Sequence, residues 1–404
     1  MARPTFRHAP TLESLERREV LSGPSADAQY MLELVNLART NPAAAAEKVT
    51  SNLDANDQAT LDYYHVDLNQ EKQAIASFSA RQPLAWSDAL ANAAWGQSQD
   101  QANSGVQSHT GSDGSNLSTR LNRVGLTNLI SNGENAFAYS QSIDESMKAF
   151  LLDWGVSDKG HRRNLLQPDA SSSTSYNEVG IGIVHTNNKG LGPLVVTQDF
   201  ARSAAKPYLL GVVFNDPSHA NFYAPGQGQS GINIEAKNLS TGQVTSAQTW
   251  DAGGYQMNLD SGNYQVTAKQ GSRVIHSQQV NIGSDNVKVD FDLSNPWDAS
   301  APVTAPPVQI RAAAVAPQVA PVQQPVAVSP TPAAEIVKTV PPVVIATPVP
   351  EVVIATPTTS NATTTRNNTS KSANPSSGAA LTASLFNPLG WITSWSSWKA
   401  TNAS

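Results

Sequence analysis

The chain of 404 residues contains no cysteine. Disulfides and thiolate metal sites are therefore excluded, and any bound metal must use imidazole, carboxylate or water. No stretch approaches the roughly 18 consecutive apolar residues that mark a membrane-spanning helix. Residues 1–23 carry Arg3, Arg7, Arg17 and Arg18 but lack the apolar run of an ordinary signal peptide. Basic blocks are missing too. The 26 basic residues are outnumbered by 32 acidic ones, giving a net charge of -6, which argues against nucleic acid as a partner. There is no His-Glu-x-x-His helix, no nucleophile elbow and no glycosidase-like acid pair, so ready-made hydrolytic motifs are absent.

Hydrophobic periodicity supplies the first positive signals. Met31, Leu34, Val35 and Ala38 recur at helical spacing until Asn41-Pro42 stops the pattern. A second helix starts at the N-cap Ser87, carries Leu90, Ala93 and Ala94 on one face, and ends near Ser104-Gly105. Leu117, Leu121 and Val124 mark a third, closed by Gly125. Ser142 followed by Glu145 is a capping-box signature for a fourth, with Met147, Phe150, Leu151 and Trp154 on its apolar face. Two strands follow, at 179–184 and 194–200. Residues 50–80 read as an insertion or a lengthened helical connection. Length alone predicts at least two domains, because single cores stop growing near roughly 250–300 residues.

Three polar signposts lie between residues 107 and 182 in fixed order: Ser108-His109, Gly133-Glu134-Asn135, and Trp154 before Gly160-His161-Arg162. Together with Leu34-Val35-Asn36-Leu37-Ala38-Arg39, Leu84-Ala85-Trp86 and Glu178-Val179-Gly180-Ile181-Gly182, they resemble the CAP superfamily (cysteine-rich secretory proteins, antigen 5, pathogenesis-related 1), within it a cysteine-free bacterial SCP-like branch. The likeness covers residues 26–203. It implies an α/β/α sandwich with a cleft in which two His and two acids form a tetrad. His109, Glu134 and His161 match three of its members. The fourth is not matched: Ser157, with Asp158 beside it, stands where many eukaryotic relatives carry Glu. The expected ligand cleft is thus His109, Glu134, Asn135, Ser157 and His161. Zinc is the cofactor to expect, on His109 and His161, and Glu134 is the candidate catalytic base. Asn135 reads as a turn residue and Arg162 as a carboxylate clamp.

From residue 209 the pattern changes to seven short strands, at 210–214, 232–236, 243–250, 255–259, 264–268, 274–280 and 287–293, separated by Gly, Asn and Asp turns. The run is similar to carboxypeptidase-regulatory-like and Cna B-type modules. It predicts an all-β sandwich at 207–294, in which Asp216 belongs to an ordinary turn and not to a calcium site. Residues 295–404 hold 14 of the 26 prolines between Pro296 and Pro357 inclusive, a repeated Val-Ile-Ala-Thr-Pro and a Ser/Thr/Asn-rich stretch, which predicts a disordered Pro-rich tail. Trp391, Trp395 and Trp398 at helical spacing suggest surface attachment through that tail. Leu12-Glu13-Ser14-Leu15-Glu16-Arg17-Arg18 resembles an export motif of planctomycete-type bacteria, so residues 1–25 read as an export or processing segment.

The whole predicts an α+β chain: a CAP-type domain at 26–203, the all-β sandwich, then the tail, secreted or on the cell surface. The missing fourth acid favours a binding role over turnover, with a small apolar or glycan ligand, a metal or an envelope protein in the cleft. The alternative is a metal-dependent hydrolase acting on peptides or cell-wall material.

Overall fold

The computed structural model describes residues 23–188 and 190–295. The expected export segment up to residue 22, the Pro-rich tail and its Trp cluster lie outside the described residues.

Eight helices and a mixed sheet make up the first part among the described residues. The helices are α1 (Ala26–Thr40), α2 (Pro42–Thr50), α3 (Ala55–Tyr63), α4 (Leu68–Ala76), α5 (Asp88–Ser104), α6 (Leu117–Arg123), α7 (Ile143–Leu152) and α8 (Gly160–Leu166). The strands are β1 (Ala85–Trp86), β2 (Ser131–Ser140), β3 (Glu178–His185) and β4 (Leu194–Arg202), in the order β1-β3-β4-β2. Within this sheet β1 and β3 are parallel, while β3–β4 and β4–β2 are antiparallel. Caps set the helix boundaries as expected. Ser87 accepts from Leu90 N, Gly105 closes α5 in a left-handed conformation, and Asn41 with Pro42 ends one helix and begins the next. At α7 only half of the capping box forms: Ser142 accepts from Glu145 N, while the Glu145 carboxylate reaches Gln141 N at 2.5 Å.

Strand parity assigns the layers. A Cβ on Gly180 or Gly182 would lie 1.9–2.2 Å from the α5 backbone at Ala91 and Trp95. The even residues of β3 therefore face α5, and glycine there lets helix and sheet backbones touch. Asp199 and Glu134 share that face, because Gly180 pairs with Asp199 and Asp199 with Glu134. On the opposite face, a Gly133 Cβ would meet Tyr176 and Asn164, and Phe137 packs edge-on against Phe150 of α7. Helices thus cover both faces of the sheet. The 50–80 segment proves to be α3 and α4, and Glu71 of α4 receives Arg162 Nη2 at 2.5 Å, which is the clamp expected of Arg162. One expectation is corrected. Asn135 is not in a turn but in mid-strand β2, fully buried.

The rest of the described chain is β: β5 (Tyr208–Phe214), β6 (Asn233–Asn238), β7 (Val244–Gln248), β8 (Gly254–Asn258), β9 (Gly262–Gln270), β10 (Arg273–Ile282), β11 (Val287–Lys288) and β12 (Phe291–Asp292). One sheet runs β10-β9-β6-β7; a second has β11 and β12 on β5, with β8 on its other side. Leu209, Val213, Ile234, Tyr255, Val266 and Phe291 from both sheets share one apolar cluster. The single strand expected at 287–293 is split, because the Val289 carbonyl turns onto the Tyr255 hydroxyl at 2.7 Å and Asp290 Oδ1 takes the Val212 amide at 3.0 Å. Asp216 accepts from Ser218 and from Asn221 N at 2.7 Å, organising a turn.

These sheets abut the helical part through polar ties. The Gln256 amide pairs with both backbone groups of Trp86, each at 2.9 Å. Asn286 Nδ2 donates to Pro83 O and Asn177 O, and Lys288 meets Glu33 of α1 at 2.7 Å.

Candidate functional site

The centre of the site is Glu134 on β2, whose side chain is 3% exposed. The α6 residue Arg120 binds its Oε2, and His109 Nδ1 donates to Oε1 at 2.8 Å. Arg120 also donates through Nη1 to His109 O and Ser115 O, both at 3.1 Å. One guanidinium thus fixes the carboxylate and the loop that presents the imidazole. From α5, Gln97 Nε2 donates to Ser108 O at 2.6 Å, and Gln101 accepts Ser108 N. The His109 ring itself is 49% exposed. Burial pushes the Glu134 carboxyl up, but the hydrogen bond and charge of His109 and the charge of Arg120 outweigh it and hold the group below the usual glutamate range.

Directly opposite on β4 stands Asp199, which is fully buried. No hydrogen bond from a donor reaches either of its oxygens. Burial, reinforced by the Glu134 charge, pushes its carboxyl well above the aspartate range, against the pull of Arg120. Two carboxyls side by side are therefore shifted in opposite directions, Glu134 down and Asp199 up.

The adjacent residue Asn135 points to the other face. Its amide donates to His161 O at 3.2 Å and to Gln198 Oε1 at 3.1 Å, and Asn164 ties α8 back to Glu134 O and Asn135 Oδ1, both at 3.0 Å. His161 is nearly buried, its ring centroid 5.6 Å from that of Phe150, and its Nδ1 bonds Asp153 Oδ1 at 2.7 Å. Asp153 caps α7 in a left-handed conformation and also accepts Arg162 N at 3.1 Å. His109 and His161 therefore flank the same strand, each with its own carboxylate, joined through the Glu134-Asn135 peptide. Ser157 sits on the exposed loop between α7 and α8, away from these bonds. The acid that serves His161 is Asp153.

A carboxylate on Nδ1 is the usual support for an imidazole that binds metal through its other nitrogen. Against that, a catalytic zinc takes three protein ligands, and among the described residues no group of three or more His, Cys, Asp or Glu side chains is arranged to hold an ion. The residues present do not fit a tight catalytic zinc.

Arg120, Asp153 and Asp199 escape a reading of the sequence. Arg120 stands at i+3 from Leu117, on the same stripe of α6 as Leu121 and Val124, but that spacing names no carboxylate partner for it. Asp199 does leave a signal: in the apolar strand 194–202, Thr197 and Asp199 interrupt the hydrophobic alternation.

The model of the cysteine-rich secretory protein (CAP) family matches residues 32–200. Residues 32–200 form a CAP domain. Among solved structures, the chain is similar to an extracellular protein containing an SCP domain from Bacillus anthracis (22% identity, 38% of this chain and 45% of that one, TM-score 0.24). It is also similar to BmVAL-1 (15%, 45% and 79%, TM-score 0.25) and to BcpA, the major pilin subunit of Bacillus cereus (12%, 30% and 39%, TM-score 0.17). The chain spans less than half the length of the Bacillus anthracis protein. No curated protein matches it. No helix among the described residues is long and apolar enough to cross a membrane.

Proposed function

We propose that the CAP domain is a binding module of an exported protein, which captures a ligand over the His109 surface without turning it over. One observation carries this reading: both oxygens of Glu134 are committed, one to Arg120 and one to His109. A base so engaged, with a guanidinium on it, is poorly placed to take a proton from water. What remains accessible is the half-exposed imidazole, a hydrogen-bonding handle on a rigid mount. A glycan hydroxyl, a small apolar ligand with one polar end or a partner protein would each find a fixed partner there. The two sheets at 207–294 then act as an all-β sandwich spacer, and the Pro-rich tail attaches the assembly to the cell envelope. Zinc is a further ligand in this proposal, with the exposed His109 ring as its first contact.

Calorimetry of the full chain with zinc, a glycan panel and a lipid panel tests the proposal. Binding by the wild type that disappears in His109→Ala is the expected result; equal binding by both proteins rejects the cleft. The hydrolase alternative draws on the opposite shifts of the neighbouring Glu134 and Asp199 carboxyls, a pattern that acid–base catalysts share. It requires chelator-sensitive turnover that is lost in Glu134→Gln.

A further inference from the structure

Away from the CAP cleft, a cavity of about 290 Å³ opens where α1 meets β5, the 221–223 loop and the β11–β12 segment. Its size is at the lower end for small-ligand pockets. Leu37, Val212, Phe214 and Phe222 give it apolar walls, and Glu33, Tyr223, Lys288 and Asp290 supply the polar atoms. Tyr223 is 2% exposed, and its hydroxyl has no hydrogen-bond partner. A buried hydroxyl left unpaired costs free energy that a ligand could recover. Two acids, Glu33 and Asp290, share the lining cation Lys288; with Asp27 acting on Tyr223 and Lys48 at the Phe222 ring, three acids stand against two lysines here. Asp27 adds to the negative field at the Tyr223 hydroxyl, which is pushed up to about 12 mainly by burial and then by Glu33 and Asp27. The chain already seats an ammonium at this aromatic wall: Lys48 Nζ lies 4.5 Å from the centre of the Phe222 ring.

An anion is disfavoured by the excess acid, and Lys288 is already occupied by two carboxylates. A neutral ligand would satisfy Tyr223 but leave the charge unrelieved. A primary ammonium does both: it donates to the Tyr223 oxygen, donates to a remaining carboxylate lone pair of Glu33 or Asp290, and lays its stem on Leu37, Val212 and the rings. We infer that this cavity is a binding site for a small organic cation, a primary ammonium on an aliphatic or sugar stem.

The test uses the full chain and n-butylammonium, with n-butanol and butyrate as uncharged and anionic matches of equal length, followed by isothermal calorimetry or ligand-observed NMR. We expect one saturable site for butylammonium, and binding of the two matches weaker by about tenfold or more. Tyr223→Phe, which keeps the ring, should weaken butylammonium by a similar factor. Asp290→Asn, which keeps the acceptor for Val212 N, should weaken it as well. Putrescine and glucosamine then separate an aliphatic from a sugar carrier, the better ligand showing the same Tyr223 dependence. Butanol binding as well as butylammonium, no saturable butylammonium site, or affinity unchanged in Tyr223→Phe would each overturn the inference. Because Tyr223→Phe is close to isosteric, an unchanged melting temperature shows that lost binding is not lost folding.

Discussion

Arg120 and His109 touch the same carboxylate, yet their contributions differ by their exposure. Removing Arg120 as Arg120→Met leaves Glu134 ionised and buried with one partner gone. Breaking a buried pair from one side costs about 3–5 kcal/mol, so urea denaturation of this variant should show a loss of that order. His109→Ala removes a half-exposed partner and should cost under about 1 kcal/mol, while abolishing the binding proposed for this surface. Asp199 sets a pH dependence of definite sign. Its folded-state pKa is raised, so the folded chain keeps a proton that the unfolded chain releases near about 3.9. Stability from this group is full below that pH and declines as pH rises towards the folded value. Glu134 is shifted the other way, and its contribution is present above about 4.3 and lost as pH falls through its lowered value. Asp199→Asn should therefore stabilise the protein at neutral pH and remove the decline, leaving the Glu134 dependence visible in melting temperatures measured from pH 3 to 8. An unchanged profile would show that Asp199 is ionised in the native state.

The helix α5 offers a contrast between two glycine environments. Gly180 on β3 touches the α5 backbone, whereas a methyl group added at Gly96 within α5 would meet nothing within 4 Å. Gly180→Ala should lower stability by about 1–3 kcal/mol through overpacking, and Gly96→Ala should raise it by about 0.5–1 kcal/mol through helix propensity. Thermal unfolding of the two variants reads both signs. Elements of this kind show how far the sequence can be read. The helices α1, α5, α6 and α7 announce themselves because caps and 3.6-residue periodicity are local properties. Strand β2 does not, since Glu134 and Asn135 interrupt its apolar pattern and only the partner β4 explains why polar groups can be buried there. The pairing of His161 with Asp153 is hidden for the same reason: a left-handed residue at the end of α7 turns its carboxylate back onto the next helix, which no spacing rule announces. The resemblance singles out His109, Glu134 and His161, which lie on a loop, on β2 and on α8, but it cannot supply Arg120, whose role depends on α6 docking beside β2.

At the scale of the described molecule, the CAP domain and the sheets that follow are tied by side chains that complete each other's backbone hydrogen bonds. Asn286 satisfies the carbonyls of Pro83 and Asn177, and Lys288 compensates Glu33 inside the contact. A fragment ending near residue 205 loses all of these and leaves Glu33 buried or newly hydrated without its cation. It should melt clearly below a fragment running to residue 295, by differential scanning calorimetry under the same buffer. The amide of Gln256 has a separate consequence. Strand β1 is the outer edge of the CAP sheet, and an uncovered edge is a template on which a second chain can lay down a strand. By occupying both peptide groups of Trp86, that one side chain works as a stopper, so copies of the chain crowded side by side find this border closed to one another.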